Sequence, residues 1–329
     1  MRKSIVIISL TGAACLLLCI LASLTYGARS VGFAGVIAAL TGDGSFSSHV
    51  VMARVPRTIF GVLAGASLAI SGALMQAITR NPIADPSILG VNTGASLFVV
   101  CGITFFHINT GGQYILLAFA GAAVTAAFVY GLASLGYGGA TPLKLALSGA
   151  AAATALQSLV NTVMLPNTQV MDQFRFWQTG SISGAEFKDI RLILPCLLTG
   201  FAISFILAPS LNTLALGDDV AAGLGLHVTR VRAWAALAGV LLCAATTALA
   251  GPIGFVGLMT PHLARLLAGP DMRKILPLSA VFGSCLLLLS DVAGRMLGRP
   301  GELESGIVTA LAGAPVFIIL IRKAKVRSL

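Results

Sequence analysis

Charge is what this sequence lacks most. Asp, Glu, Lys and Arg make up 10% of its 329 residues, against about 25% in soluble globular chains, too little to clothe an ordinary soluble enzyme. The shortage is concentrated, since residues 86–143, 145–171 and 233–264 contain none of the four. A helix that crosses a bilayer needs about 20 apolar residues, so the longest of these runs has room for two spans and a turn. With 57% hydrophobic residues and a mean hydropathy of +0.95, the chain reads as an all-α, polytopic membrane protein.

Reactive motifs are missing as well. The six cysteines lie inside apolar runs without a Cys-x-x-Cys pair, which argues against a disulfide framework or a zinc site and for buried apolar thiols. No metal ligand set is expected. His49, His107, His227 and His262 are scattered, without the i, i+4 pair of a membrane metalloprotease. Neither Gly-x-Ser-x-Gly nor Gly-x-x-x-x-Gly-Lys-Ser/Thr occurs. The chain is therefore not expected to be an enzyme, and if ATP drives it, the nucleotide binds on another chain.

Carboxylates inside the spans are nearly absent. Asp85 belongs to a Pro-rich break, and Asp291 lies near the outer end of a span, four residues before Arg295, so the two can pair on one helix face. Glu302 and Glu304 follow in the last outer loop. A proton-coupled secondary transporter, the alternative class, would want an acid or a His near the midplane. None is placed there.

Basic residues are in surplus, 21 Lys+Arg against 11 Asp+Glu, for a net charge of +10. A nucleic-acid surface needs them clustered on one solvated face, whereas here they stand one to four at a time between apolar runs. No nucleic-acid partner is expected, and the pattern is that of topology signals in a lipid bilayer. Ser4 to Tyr26, after Arg2-Lys3, is too long for a signal-peptide core of roughly 7–15 residues and reads as a retained first helix.

Apolar runs bounded by charges, Pro or Gly-rich turns predict ten spans, at 4–26, 58–78, 88–106, 113–135, 143–164, 190–208, 233–250, 253–268, 275–297 and 305–321. With both termini in the cytoplasm, Arg29, Arg54, Arg57, Arg175, Lys188, Arg191, Arg295 and Arg299 fall outside, eight of the 21 cations, and 13 fall inside. That asymmetry follows the positive-inside rule. Gly61-x-x-x-Gly65 and Ser67-x-x-x-Ser71 put small residues on one face of the second span, for close packing within the chain or a dimer seam. Asn81-Pro82-Ile83-Ala84-Asp85-Pro86 breaks the chain on the inner side and Gly251-Pro252-Ile253-Gly254-Phe255-Val256-Gly257 on the outer side, five spans apart. Within a single permease domain over residues 1–329, this is either an inverted repeat of spans 2–5 and 7–10 or a pair of ordinary interhelical turns.

Two loops carry candidate surfaces. On the inner side, Leu214 to Leu226 reads as a short cytoplasmic helix, with Asp218 or Asp219 as N-cap and Gly225 as its stop. Its small apolar face of Val220, Ala221 and Leu224 can enter a groove on a soluble partner or lie on the bilayer. On the outer side, Arg54-Val55-Pro56-Arg57 opens the second span, with Pro56 in the first turn. Arginines at a positive helix end, on the side that topology disfavours, suggest either an acidic partner or snorkelling to lipid headgroups.

These segments resemble the FecCD-type permeases, membrane subunits of type II ABC importers for iron chelates, haem and vitamin B12. The resemblance runs from about residue 50 to the end of the sequence. It rests on Arg54-Val55-Pro56-Arg57-Thr58, Ile70-Ser71-Gly72-Ala73-Leu74-Met75-Gln76, Asn81 to Val91, Leu214-Ala215-Leu216-Gly217, Gly254 to His262 and Gly313-Ala314-Pro315. It implies a ten-helix subunit in the bacterial inner membrane, paired with a second permease subunit, identical or homologous, and two ABC ATPase subunits that hold ATP–Mg. An extracytoplasmic binding protein would deliver the substrate. Carried over to this sequence, Arg54, Arg57 and Arg295 would engage acidic residues of that binding protein. Leu216, Gly217, Asp218, Val220, Ala221 and Leu224 would seat on the ATPase, and Ser148, Gln157, Asn161 and Thr162 would border the translocation path. The outer loop Phe174 to Ser181 is more similar to siderophore permeases than to the cobalamin branch. An iron(III)-siderophore complex is the expected substrate, with haem or cobalamin as the alternative.

Overall fold

The computed structural model describes residues 2–27, 31–41, 44–136 and 139–326. Among them are thirteen α-helices and no strand: α1 (Arg2–Thr25), α2 (Gly32–Thr41), α3 (Phe46–Thr79), α4 (Val91–Phe106), α5 (Gly111–Ser134), α6 (Pro142–Met164), α7 (Thr168–Gln178), α8 (Phe187–Leu214), α9 (Asp218–Gly223), α10 (Val228–Ala250), α11 (Val256–Ala268), α12 (Met272–Leu297) and α13 (Ser305–Val326). Six of these (α3, α5, α6, α8, α10 and α12) are long and apolar enough to cross a membrane, and Leu10–Thr25, Val91–Phe106 and Ser305–Ile318 are shorter apolar segments. With α11, they match the ten expected spans. The short helices α2 and α7 were not expected.

The second span begins earlier than its apolar run suggests. Ser45 caps α3 by accepting from the Ser48 N–H at 3.2 Å, so the helix starts at Phe46 and runs 34 residues. At 1.5 Å per residue that is about 51 Å, well beyond a hydrocarbon core of about 30 Å. Pro56 therefore sits inside the helix and not in its first turn. Arg54 and Arg57 are likewise not at a helix N-terminus. The argument from an unfavourable dipole falls with that placement.

α3 is the centre of the bundle, because small residues line it. A methyl group built on Gly65 would overlap the Gly283 carbonyl of α12, and one on Gly72 would overlap the Gly257 carbonyl of α11. Ser71 Oγ donates to the Gly239 carbonyl of α10 at 2.6 Å. The backbones thus approach closely, where dispersion contacts replace the hydrophobic drive that lipid does not supply. The Gly61-x-x-x-Gly65 face is used within the chain, with Gly61 against Leu288 and Ile182. Of the most apolar 18-residue window, 83% is buried in α3 but only 22% in α6, so α6 lies at the edge.

Both breaks are followed by helices too short to cross the bilayer alone. α4 has 16 residues and α11 has 13, about 24 and 20 Å. Gly251, at φ 72°, ends α10 where a side chain would strike the Trp177 carbonyl, and Phe255 at φ 68° starts α11. The stretch between them is non-helical. In the other break, Asp85 caps a 3-10 turn over Pro86–Leu89 through the Ser87 N–H at 2.9 Å. The same carboxylate lies beside Gly257 in the first turn of α11, where a helix N-terminus favours negative charge.

Candidate transport site

At the outer end, the arginines of α3 and α12 surround the last turn of α1. Arg54 Nη1 donates to the Leu24 and Thr25 carbonyls at 2.9 and 3.1 Å. Arg295 Nη1 donates to the Ser23 carbonyl at 3.0 Å, and Arg299 Nη2 to the Gly27 carbonyl at 2.6 Å. Free carbonyls and a negative dipole end make a helix C-terminus a natural seat for guanidinium groups. The outer cations therefore have a partner that the sequence does not show.

Asp291 holds the rest together. Arg57 Nε and Nη2 reach its Oδ1 at 3.0 and 2.6 Å, and Arg295 Nη2 reaches its Oδ2 at 2.9 Å. The i, i+4 pairing of Asp291 with Arg295 is as expected, but both are buried, at 1% and 2% exposure of the side chains. Arg295 consequently offers no guanidinium to the outer surface in this conformation. Arg57 keeps one accessible contact, from Nη1 to Glu302 Oε2 at 2.7 Å, with Glu302 38% exposed.

At the inner end, α9 is held by one carboxylate. Asp218 Oδ1 pairs with Arg80 of the α3 end and with Arg232 Nη2 of α10 at 2.9 Å, while Arg80 also donates to the Leu214 carbonyl at 2.9 Å. The N-cap is Gly217 at φ 119°, not either aspartate; Asp218 and Asp219 form the first turn. A β-carbon is strained at that φ, so glycine fits the entry. Gly225 at φ 83° follows the helix as a stop. The expected apolar face divides: Ala221 is buried within the chain, whereas Leu216, Val220 and Leu224 are exposed.

Sequence reasoning missed what lies behind α9. A cavity of about 290 Å³ is lined by Gln76, Arg80, Leu211, Arg265 and Met272 among others. Arg265 Nη1 donates to Gln76 Oε1 at 2.7 Å, and Gln76 Nε2 donates to the Gly257 and Leu258 carbonyls at 3.3 and 3.2 Å. Nearby, Asp271 caps α12 at the Arg273 N–H (3.0 Å) and accepts from Asn212 Nδ2 (2.7 Å). Burial pushes its carboxyl pKa up, but these hydrogen bonds and the charges of Lys274 and Arg273 outweigh it, and the net shift is down.

The expected path residues share α6. Ser148 and Gln157 are half-buried, Asn161 and Thr162 are exposed, and Gln157 Nε2 donates to Asn161 Oδ1 at 3.2 Å. Thr154 and Ser158 extend the polar stripe, satisfied in part by hydroxyl bonds to carbonyls one turn back. Exposed amides in a spanning helix do not suit hydrocarbon. They suit water or another subunit. Among the described residues, no hydrogen bond or ion pair joins this stripe to the outer or inner arginines, so the candidate residues form three separate surfaces.

The model of the FecCD transport family matches residues 15–323. The chain is 40% identical over 310 residues to "Probable siderophore transport system permease protein YfiZ" of Bacillus subtilis (strain 168), covering 94% of this chain and 93% of that one. It is 42% identical to "Ferric enterobactin transport system permease protein FepD" of Escherichia coli (strain K12), over 92% of this chain and 90% of that one. Other relatives are named for Fe(3+)-citrate, iron(3+)-hydroxamate and cobalamin import. Among solved structures, a metal-chelate type ABC transporter in an inward-facing conformation superposes with a TM-score of 0.84 at 27% identity, over 98% of this chain and 99% of that one. The match spans nearly all the described helices, and the chain belongs to the FecCD transport family.

Proposed function

We propose that this chain is the membrane subunit of a bacterial ABC importer that takes up an iron(III)-siderophore complex delivered by an extracytoplasmic binding protein. The observation that carries the coupling is α9. It is pinned by Asp218 between Arg80 and Arg232, yet leaves Leu216, Val220 and Leu224 bare on the cytoplasmic side. A short helix fixed at its root with an apolar tip suits a groove on a soluble ATPase. ATP–Mg then resides on two such ATPase subunits, and this chain binds no nucleotide.

The same reading assigns the other two surfaces. The α6 stripe of Gln157, Asn161 and Thr162 borders the path, facing a second permease subunit, identical or homologous, and Ser148 borders it from half a turn round the same helix from Gln157. Neutral polar groups let a bulky chelate pass without holding it tightly. Outside, Arg57 is the member of the docking set whose carboxylate partner is open to water, and an acidic side chain of the binding protein replaces Glu302 on its Nη1. Arg54 and Arg295 support that site by fixing α1 beside it. The breaks before the short helices α4 and α11 support an inverted repeat of α3–α6 and α10–α13, whose discontinuous helices border the path.

The relatives named for siderophores favour an iron chelate, and the one named for cobalamin keeps that cargo as the second reading. Uptake of radiolabelled iron on a panel of siderophores, with haem and cobalamin alongside, decides between them in cells lacking and then re-expressing the chain. Loss of uptake for one siderophore class, restored by the wild type but not by a Leu216→Asp, Leu224→Asp variant, is expected. Intact iron uptake with lost cobalamin or haem uptake would overturn the cargo. Rescue by the double variant would overturn the coupling role of α9.

A further inference from the structure

Three cysteines that stand apart in sequence meet in space. Cys15 and Cys19 are one turn apart on α1 and Cys285 faces them from α12, with the three Sγ atoms all within 4.8 Å of one another. Cys19 and Cys285 are buried, and Cys15 is exposed on the side of the bundle. Cys101, Cys196 and Cys243 lie on other helices. We propose that Cys15, Cys19 and Cys285 form a three-thiol site for a trivalent, thiophilic metalloid, with arsenic(III) as its chemical type.

The surroundings choose the ligand. Zinc prefers four ligands, and three thiolates on a divalent ion would leave a net charge in hydrocarbon, which is costly. Arsenous acid avoids that charge. As(OH)3 and three thiols exchange to As(SR)3 and three waters: three As–S bonds form, three As–O bonds break, and each thiol proton leaves with a hydroxyl group. No atom changes oxidation state, and reactants and product are all neutral. Cys15 gives a neutral arsenical a way in from the bilayer, and the adduct joins α1 to α12, the pair already linked by Arg295 and Ser23.

The test is intact-mass spectrometry of the purified chain in nanodiscs with equimolar arsenite. The wild type is expected to gain one arsenic and lose three hydrogens. Cys19→Ala and Cys285→Ala are expected to lose that adduct, while Cys196→Ala keeps it. Phenylarsine oxide needs only two thiols, giving PhAs(SR)2 and one water, so a Cys15→Ala variant is expected to bind it through Cys19 and Cys285 although it no longer forms the three-sulfur arsenite adduct. That result separates a lost ligand from a lost fold. No adduct on the wild type, an adduct unchanged in Cys285→Ala, or a Cys15→Ala chain that refuses phenylarsine oxide would each overturn the site.

Discussion

The outer and inner ends of this bundle both join helices through one aspartate shared by two arginines, yet they do so in opposite surroundings. Asp291 is 1% exposed and lies between Arg57 and Arg295, with Arg54 and Arg299 capping the end of α1 alongside. Asp218 is 41% exposed between Arg80, 37% exposed, and Arg232, which is buried at 6%. Removing one member of a buried ionic group strands a charge, whereas an exposed pair is screened by water. The outer cluster is therefore the costlier one to break, and the inner one, open to water at Asp218, the cheaper.

Breaking the outer cluster is expected to have the largest effect. Asp291→Asn leaves Arg57 and Arg295 without their shared anion and should cost about 3–5 kcal/mol, read as a lower unfolding midpoint in SDS titration. A midpoint near the wild-type value would show that the cluster does not hold α1, α3 and α12 together. Next comes Gly217→Trp. At φ 119° a side chain adds strain of order 1–3 kcal/mol, and transport is expected to be lost while the assembled complex still hydrolyses ATP. Normal uptake by that variant would remove α9 from the coupling route.

The long apolar runs made the spans legible, because bilayer thickness fixes their length. The Asp291–Arg295 pair was legible too, because helical spacing places residues four apart on one face. The start of α3 was not. Phe46 to Val55 mixes Ser47, Ser48 and His49 with apolar residues, since it stands beyond the hydrocarbon and no longer carries its signature. Arg57 meets Asp291 across 234 positions, a contact only the tertiary fold creates. For the same reason the outer arginines read as surface groups, although the fold buries Arg295. The thiols of Cys15 and Cys285, read as separate buried side chains, converge only once α1 lies against α12.

Two milder substitutions sharpen the contrast between the ends. Glu302→Gln frees Arg57 Nη1 and leaves Asp291 in place, so the binding protein is expected to dock a few-fold more tightly, in keeping with about 0.2–1 kcal/mol for an exposed pair. Surface plasmon resonance on the reconstituted permease reads this, and weaker docking would mean that Glu302 itself is a contact. The smallest effect concerns Asp271, whose carboxyl pKa is lowered in the folded chain. Its contribution is fully present above the unfolded carboxylate value of about 3.9 and is lost as pH falls through the lower, folded value. Asp271→Asn keeps a good N-cap, so it should flatten that acid limb of the stability profile and change little at neutral pH.

The contact between Gly65 and Gly283 has a mechanical consequence. Carbonyls seated where β-carbons would stand leave no register into which α3 and α12 can slide without losing that close approach. The proposed transport cycle would leave that pair intact and draw on flanks that are free, such as that of α6, whose most apolar window is only 22% buried.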